Sequence, residues 1–592
     1  MNTQTADIKD SVIDVTVAGK RDNLVLNDGS RVAVIGGGPA GSFFSFFLLQ
    51  LAERVGVHLA VDIYERRDFA QTGPIGCNMC GGVISESLVQ ALSVEGITLP
   101  SDVVQRGIDS FLFHSVEESV TLYAPYREMR IATVYRGAGP KGTKQSRWRS
   151  FDGFLLELAI KNGAKLVPER VTDLTWADSK PQVQIKDGVS QTYDLVVGAI
   201  GVNTPSLAMF EKLAFGYKKP GTKKTSNREF ELGGDYISSS LGNSMHAFLV
   251  NLPQLDFAAI IPKGDYVTMC LIGDDINSEF VDSFIKNPLV GARLNGKQDK
   301  DAACRCAPLA SLGDAVQPYG DRVFLLGDCG TTRLNKDGIG SAYRTAKVAA
   351  VTALFRGISV EDFHEGYWPV CRAISRDNAY GGIIYRVVGI IKKSPFLTRA
   401  VMRMARVEQG MTSSKRRMSR VLWDMFTGSA PYRDVFIRCL HPAFLGRLGW
   451  SMFFGAKQVI PLEIGQEEAM GKSVLGRDYR AGEVIVRQGE TGDCMYVIQS
   501  GQAEVLQDMD GKEVRLAVLG EKDIFGEMAI FQKEKRSATV RALTDVRVLT
   551  VDKRIFLRRV HEDPSFVFPI LQKMSQRIRG LNTELTKMRS QI

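Results

Sequence analysis

An apolar run, a glycine-rich turn and a longer apolar run follow one another in RVAVIGGGPAGSFFSFFLLQ, from Arg31 to Gln50. This pattern predicts a buried strand, a tight turn and a helix. The turn has the spacing G-x-G-x-x-G, in which each glycine has its own task. Gly36 permits the sharp turn, Gly38 lets a pyrophosphate approach bare backbone, and Gly41 allows the helix to lie close on the strand.

A second apolar strand follows this helix and ends at an acidic residue. The strand VDIYERR starts at Val61, and Glu65 stands 24 positions after Gly41. A spacing of about 20 is typical of the acid that binds a ribose. Phosphate would bind the N–H groups at the start of the helix. We therefore predict a dinucleotide-binding unit over about 31–67, after an N-terminal extension (1–30) with no assigned role.

Two later glycine clusters also follow predicted strands. The sequence YDLVVGAIGVNTP, from Tyr193, predicts a strand that enters a glycine turn. Farther on, a buried strand ends at Gly327 and Asp328, and a loop through Gly338 and Gly340 leads into a helix rich in small residues. Short alternating strands over about 227–293 predict an antiparallel sheet inserted between these clusters.

The positive charge of the chain is concentrated in one stretch. The formal net charge is +9, whereas 382–457 alone holds 14 Lys and Arg against 3 Asp and Glu. Basic amphipathic helices and the run FLGRLGWSMFFG suit an anionic membrane surface. We interpret 359–466 as a basic helical segment that contacts a membrane peripherally through 380–455. An ordinary helical cap with solvated charges is the alternative, and nucleic acid is not expected because no reading motif accompanies the charge.

The chain shows no secretion signal and no apolar run of about 18 residues, so we expect a cytoplasmic protein, peripheral on the inner face of a membrane. Nine cysteines in such a chain favour reduced thiols. Cys77 and Cys80 form a C-x-x-C pair, and Cys304 with Cys306 is the other close pair. The histidines are scattered, so we expect no metal site and consider a role for the thiols beside a cofactor.

From about Glu467 the pattern changes to short strands separated by regular glycines. Glycines at such regular spacing are typical of the turns of a small jelly-roll barrel. The sequence from Pro564 to Met588 then predicts a long helix. We expect a separate C-terminal domain over 467–592.

Taken together, the three glycine clusters resemble the hydroxybenzoate-hydroxylase-like superfamily of FAD enzymes. The shared motifs are G-x-G-x-x-G with its terminal Glu, D-L-V-V-G-A-x-G-V-N, and L-G-D followed by G-I-G. The CGG of Cys80 to Gly82 and the R-x-F-D of Arg149 to Asp152 are similar to the geranylgeranyl reductase family. The resemblance covers about 31–358 and implies an α/β fold, in which a Rossmann-like FAD-binding domain carries the inserted sheet.

The resemblance implies a role for each motif. Glu65 would hold the adenosine ribose, Asp328 the flavin ribityl chain, and Arg149 the pyrophosphate. The helix that starts near Gly340 would direct its positive end at the flavin pyrimidine ring, which favours the anion formed on reduction. Cys80 would lie beside the flavin and tune it or supply a proton, and a buried inert thiol is the alternative.

The strand FAAIIP departs from the family pattern. Phe257, Ala259 and Ile261 stand where relatives carry an aromatic Y-x-W-x-F-P strand in the substrate pocket. The expected pocket is apolar but differently shaped, so an apolar, lipid-like substrate still fits.

The segment FGEMAIFQKEKRSATV closely resembles the phosphate cassette of cyclic nucleotide-binding domains of the catabolite-activator and protein-kinase regulatory type. Over about 473–585 this resemblance implies a site for cAMP or cGMP, with a non-binding barrel as the alternative. Glu527 would accept a hydrogen bond from the ribose 2′-hydroxyl, and Arg536 would pair with the cyclic phosphate. N–H groups near Gly526 and Ala538, with the Ser537 hydroxyl, would complete an anion nest. We expect no DNA-reading helix-turn-helix after the terminal helix.

The leading hypothesis is an FAD-dependent reductase of carbon–carbon double bonds in an isoprenoid or quinone-type lipid, regulated by cyclic nucleotide. The flavin would be reduced by NAD(P)H or a small electron carrier. One rival is an FAD-dependent aromatic monooxygenase under the same regulation. The other is a non-catalytic signalling protein that binds flavin and cyclic nucleotide. The sequence leaves the choice of cyclic nucleotide, the sign of its effect and the oligomeric state open.

Overall fold

The computed structural model describes residues 24–124, 128–143, 148–186, 188–411, 415–454, 474–509, 511–532 and 535–589. The first 23 residues and the expected domain boundary at 467 lie outside these ranges. The fold class expected from the sequence is confirmed: an α/β region with an inserted sheet is followed by helices and a small barrel.

A six-stranded sheet forms the dinucleotide-type part of the molecule. Its central strand, Arg31–Ile35, pairs in parallel with Ala60–Tyr64 on one side and Leu195–Gly198 on the other. These strands read as continuous apolar runs because both faces of a parallel sheet are covered. The outer strands are Lys165–Val167, Val323–Leu325 and, antiparallel at the edge, Tyr319–Gly320. Helices Pro39–Val55, Phe151–Lys161 and Gly338–Phe355 cover the sheet.

The inserted sheet is wider than the stretch 227–293 that the sequence indicates. It also receives Ser110–His114 and Ser119–Tyr123 from an earlier part of the chain, because Ser110–His114 pairs in parallel with Ser244–Phe248. Long-range parallel pairing leaves no local signal in the sequence. The other strands are Thr222–Glu231, Leu255–Pro262, Tyr266–Gly273, Cys304–Cys306 and Leu309–Ser311.

Smaller elements complete this half of the molecule. Two three-stranded sheets are formed by Val83–Ile84, Ile131–Val134 and Val104–Ile108, and by Gln191–Thr192, Lys180–Ile185 and Val171–Ala177. The short helices are Glu86–Val94, Ala208–Lys212, Gly234–Tyr236, Ser278–Lys286 and Pro288–Gly291.

The basic segment is helical where the structure describes it. Its helices are Val360–Gly366, Trp368–Lys393, Pro395–Gln409, Arg417–Thr427, Tyr432–Cys439 and Pro442–Phe453. They pack on one face of the inserted sheet, where Met402, Trp423 and Phe426 share an apolar cluster with Phe111 and Ile261. Within the described part of the chain, no helix combines the length and apolar character needed to cross a bilayer.

The C-terminal barrel consists of two four-stranded sheets. One holds Arg477–Tyr479, Val546–Asp552, Cys494–Ser500 and Ile524–Phe525. The other holds Val484–Val486, Thr539–Ala542, Ala503–Met509 and Lys512–Leu519. Helices Met528–Gln532 and Lys553–Glu562 and the terminal helix Phe568–Arg589 accompany the barrel, and the terminal helix confirms the long helix expected there.

The helix Glu86–Val94, here called the interface helix, lies between the two halves. All nine of its residues are buried. Leu88 and Leu92 belong to the same apolar cluster as Leu549 and Val551 of the barrel. The barrel therefore shares its core with the dinucleotide-type region.

Candidate cofactor and cyclic nucleotide sites

A cavity of about 670 Å³ opens where the parallel strands end. This volume is within the range of roughly 300–1,000 Å³ that is typical of ligand pockets. The carboxyl ends of parallel strands are the usual place for a nucleotide, because the chain diverges there. The residues from the sequence analysis that border the cavity are Gly36, Gly38, Glu65, Cys80, Gly327, Asp328 and Gly338.

The three glycines of the first loop differ in what they face. Gly36 has φ +108°, and a Cβ there would lie 2.4 Å from the Ala199 carbonyl oxygen. A Cβ on Gly41 would lie 2.0 Å from the Gly36 oxygen. A Cβ on Gly38 would approach only Asn78 Nδ2, at 3.4 Å. Gly36 and Gly41 are thus required by the fold, whereas Gly38 keeps bare backbone open to the cavity.

Glu65 is fixed at the edge of the cavity by two backbone donors. Gly37 N–H donates to Oε2 at 3.0 Å and Arg67 N–H to Oε1 at 2.8 Å. Burial raises the pKa of this carboxyl, and the two hydrogen bonds oppose the rise. The side chain is therefore held in one orientation, as the acid that binds a ribose must be.

The helix Gly338–Phe355, here called the cavity helix, begins beside Asp328. Burial raises the pKa of the Asp328 carboxyl, which borders the cavity. Asp337 caps the helix with left-handed φ of 55° and accepts a hydrogen bond from Ser85 Oγ at 2.6 Å. A Cβ on Gly340 would lie 2.2 Å from Asp337 Oδ1, so glycine is required there by the cap. The first turn of the helix directs its positive end at the cavity.

Arg149 does not lie at the cavity. Its guanidinium pairs with Glu157 and stacks over Phe154 at 5.5 Å from the ring centroid. Arg136 borders the cavity in its place and pairs with Asp152 of the R-x-F-D motif, Nη2 to Oδ2 at 3.0 Å. Of these two arginines only Arg136 borders the cavity, and the binding of a pyrophosphate by Arg149 stays a prediction.

Cys80 borders the cavity and is exposed, with its Sγ accepting from Gly82 N–H at 3.5 Å. Cys270 also borders the cavity, and burial raises the pKa of its thiol to about 12. The cysteines are free thiols. The described residues contain no group of three or more His, Cys, Asp or Glu side chains arranged for a metal ion.

The far end of the cavity is apolar and holds a lysine that sequence reasoning missed. Met245, Phe257, Ile261 and Phe426 line this end. Lys336 Nζ lies 3.5 Å from the centroid of the Phe257 ring. Its place two residues before Gly338, inside a glycine-rich loop, was the signal that could have revealed it.

The polar groups that border the cavity are of the kinds that bind FAD. One end has bare backbone at Gly38, a fixed acid at Glu65 and a helix N-terminus, as a dinucleotide requires. The buried Oδ1 of Asn227, which borders the cavity, has no hydrogen-bond partner in the part of the chain that the structure describes. A polar ring system could satisfy it.

The barrel brings the predicted cyclic nucleotide residues together around Gly526. Arg536 donates through Nη1 to the Gly526 carbonyl at 2.7 Å and through Nη2 to the Cys494 carbonyl at 2.8 Å. Glu527 is buried and pairs with Arg577 of the terminal helix at 3.4 Å. Ser537 is exposed and Ala538 is half-buried on the same loop. The terminal helix thus reaches the expected ribose-binding acid.

A buried guanidinium joins the barrel to the interface helix. Arg130 Nη1 lies 2.8 Å from Glu86 Oε1, and Nη2 lies 2.8 Å from Asp552 Oδ2. Its Nε lies 3.6 Å from Glu128 Oε2. Desolvation raises the pKa of Glu86, and the charge of Arg130 opposes that rise. Ser85, which caps the same helix, contacts Asp337 at the cavity, so this helix contacts both the cavity and the barrel.

A second ionic bridge joins the barrel to the cavity helix. Lys347 Nζ pairs with Glu95 Oε1 at 2.5 Å and with Asp563 Oδ2 at 2.8 Å. Tyr343 OH donates to the same Glu95 oxygen at 2.9 Å. Asp563 stands directly before the turn Pro564–Val567 that leads into the terminal helix. The start of that turn is therefore attached to the cavity helix.

Residues 476–563 match the family model described as cyclic nucleotide-binding domain, which confirms the resemblance of the barrel. The chain is 28% identical over 121 residues to a CRP-like cAMP-activated global transcriptional regulator of Mycobacterium tuberculosis, covering 20% of this chain and 54% of that protein. It is 40% identical over 80 residues to a cAMP-dependent protein kinase regulatory subunit of Schizosaccharomyces pombe, covering 14% and 19%. The chain thus spans about half the length, or less, of these relatives.

The N-terminal part is similar in fold to flavoproteins. A flavoprotein/dehydrogenase from Cytophaga hutchinsonii has a TM-score of 0.49 at 15% identity, covering 72% of this chain and 99% of that chain. A geranylgeranyl bacteriochlorophyll reductase-like protein from Thermoplasma acidophilum has a TM-score of 0.47 at 13% identity, covering 72% and 98%. These likenesses are too distant to assign a ligand, so the assignment of FAD rests on the cavity.

The geometry of the first loop predicts that Gly38→Ala folds but binds FAD poorly. Its φ of −69° suits alanine, and the added methyl group would stand where the pyrophosphate must approach. We expect FAD affinity to fall by about tenfold or more, which is about 1.4 kcal/mol. Fluorimetric titration of the apoprotein with FAD measures the affinity, and circular dichroism checks the fold. The control Gly389→Ala, at an open helical position, should bind FAD normally, and equal affinity of Gly38→Ala would contradict the prediction.

Proposed function

We propose that this chain is an FAD-dependent oxidoreductase that reduces carbon–carbon double bonds of an isoprenoid or quinone-type lipid, and that cyclic nucleotide bound at the barrel regulates it. The observation that carries the proposal is the two-ended cavity. A dinucleotide loop forms one end and an apolar compartment forms the other, with Cys80 between them. Bound FAD would supply the ring that accepts and donates hydride.

The chain's own residues would position the reactants. Gly38 and the first turn of the helix Pro39–Val55 would bind the pyrophosphate, and Glu65 would orient the ribose. The start of the cavity helix would stabilise negative charge at the ring. Cys80 Sγ, exposed at the cavity, would deliver a proton to the substrate carbon. NAD(P)H or a small electron carrier would serve as the reductant.

Regulation is supported by two ion pairs, Glu527 with Arg577 and Asp563 with Lys347. A cyclic nucleotide that engages Glu527 would compete with Arg577 and so change how the terminal helix is held. The turn before that helix is attached through Asp563 and Lys347 to the cavity helix. The nucleotide would therefore bias the cavity helix, with a coupling free energy of about 1 to 3 kcal/mol.

Membrane contact is supported by an aromatic patch, defined as Phe396, Trp450, Phe453 and Phe454. These side chains are exposed, Phe453 by 76% and Trp450 by 63%. Phe396 and Phe453 meet with ring centroids 6.1 Å apart, and Arg403 donates to the carbonyl of Ser451 beside them. An exposed aromatic patch with neighbouring cations suits an anionic bilayer surface.

Chemically reduced holoenzyme, incubated without oxygen with a total lipid extract, should add two hydrogens to a lipid alkene. Mass spectrometry of the extract detects the gain, and a holoenzyme left oxidised is the control. Oxygen incorporated into an aromatic product during substrate-stimulated NAD(P)H oxidation would instead identify a monooxygenase. FAD binding without turnover with any donor and extract would favour the signalling protein.

Removing the ion pair between Asp563 of the barrel region and Lys347 of the cavity helix should uncouple the cyclic nucleotide site from the cavity. In Asp563→Asn an amide replaces the carboxylate that faces Lys347, so the bridge is lost. We expect cAMP or cGMP still to bind by calorimetry, while the ratio of turnover with and without nucleotide moves to one. Glu513→Gln, which alters an exposed pair with Arg541, should keep the wild-type ratio. A wild-type ratio in Asp563→Asn would reject this route of regulation.

The aromatic patch predicts selective binding to anionic vesicles. Trp450→Ser with Phe453→Ser should lower the fraction that cosediments with phosphatidylglycerol vesicles by about threefold or more, because buried apolar area and charge attraction both contribute. Val116→Ser with Val189→Ser, at exposed apolar positions elsewhere, is the matched control. Equal sedimentation with neutral and anionic vesicles would exclude an electrostatic membrane contact.

A further inference from the structure

We infer that the substrate carries a single acidic group, a carboxylate or a phenolate, which Lys336 binds at the apolar end of the cavity. This inference rests on the proposed function, because it takes this end of the cavity to hold the substrate. It names the class of molecule: an apolar body with one acidic head.

Lys336 is half-buried on the cavity wall and, unlike the buried Lys263 and Lys347, has no carboxylate partner. Lys263 pairs with Glu229 at 3.2 Å, and Lys347 pairs with Glu95 and Asp563. No carboxylate of the described residues lies within ion-pair distance of Lys336 Nζ. The carboxylate of the neighbouring Asp337 accepts from Ser85. A cation that is partly removed from water without a counterion carries a desolvation cost, and an acidic ligand would offset that cost.

Aromatic rings hold the ammonium in place. Nζ lies 3.5 Å from the centroid of Phe257 and 5.2 Å from that of Phe426. Such contacts attract the ammonium but do not neutralise its charge. Burial lowers the pKa of Lys336 to about 8, with only the Cys270 thiol acting in the opposite direction. The side chain is therefore positioned but not paired.

Two arginines that border the cavity are already engaged. Arg136 pairs with Asp152, and Arg333 donates to the carbonyls of Gly428 and Ala430 at 2.8 and 2.6 Å. Asp256, which directly precedes Phe257, pairs with Lys223 at 2.5 Å.

The Lys336 ammonium, close to Met245, Ile261 and Phe426, matches one negative charge on an apolar molecule. A diphosphate, with several charges, would leave most of them without partners in this compartment.

The test uses three probes with one carbon skeleton: geranate, geraniol and geranyl diphosphate. Calorimetric titration of the FAD-loaded full chain gives each affinity without turnover. We expect geranate to bind about tenfold or more tightly than geraniol, since a hydrogen bond between charged groups is stronger than one to a neutral hydroxyl. Geranyl diphosphate should bind no more tightly than geranate.

Lys336→Met keeps the length of the side chain and removes its charge. We expect it to lose about tenfold or more of the affinity for geranate and to leave geraniol within about twofold. Lys336→Arg should restore the preference for the acid, and Lys161→Met, at an exposed helical position, should behave as wild type. The visible flavin spectrum and the FAD content should stay unchanged in all variants.

Three results would overturn the inference. These are no binding of geranate to the wild type, a preference for geranate that survives in Lys336→Met, or a changed flavin spectrum with unchanged geranate affinity, which would place the ammonium at the cofactor. Failure of lipid reduction alone would reject the proposed function and leave the measured preference for an acidic group intact.

Discussion

The placement of the barrel depends on the buried guanidinium of Arg130. A charge that is fully removed from water is tolerated only when carboxylates surround it, and Glu86, Glu128 and Asp552 do so from three different elements. Losing one partner of such a cluster costs about 3 to 5 kcal/mol, because the remaining charges stay buried. The barrel strand that carries Asp552 is therefore held in one position against the interface helix.

The interface helix contacts both the cavity and the barrel. Its cap, Ser85, contacts Asp337 at the mouth of the cavity, and Gln90 exchanges hydrogen bonds with Asp552 at 3.2 and 3.1 Å. A nine-residue helix with every residue buried moves as a unit, because close packing does not allow its turns to shift separately. Under the proposed regulation, a displacement of the barrel strand would therefore reach the start of the cavity helix through this helix.

Two kinds of wall form the cavity. The parallel strands end in glycine turns, which leave backbone N–H groups for a nucleotide, while the inserted sheet and the basic helices supply the apolar side. Lys336 stands where these walls meet, between Phe257 of the sheet and the helix that starts at Gly338. The two ends of the cavity are therefore formed by elements that lie far apart in the sequence.

The sequence by itself determined the local features: the glycine turn at Gly36 to Gly41, the acid at Glu65, the loop before Gly338, and the cassette with Glu527 and Arg536. Each follows from backbone geometry or spacing within a few turns of chain, and the structure places all of them as strand ends, caps or loops. Only the tertiary structure decided that Arg136 and not Arg149 borders the cavity, and that strands 110–114 and 119–123 join the inserted sheet. It also decided that Arg130 joins the barrel to the interface helix and that Lys336 lies on the cavity wall. These depend on which side chains meet across long separations, and burial of a charge has no signature in the order of residues.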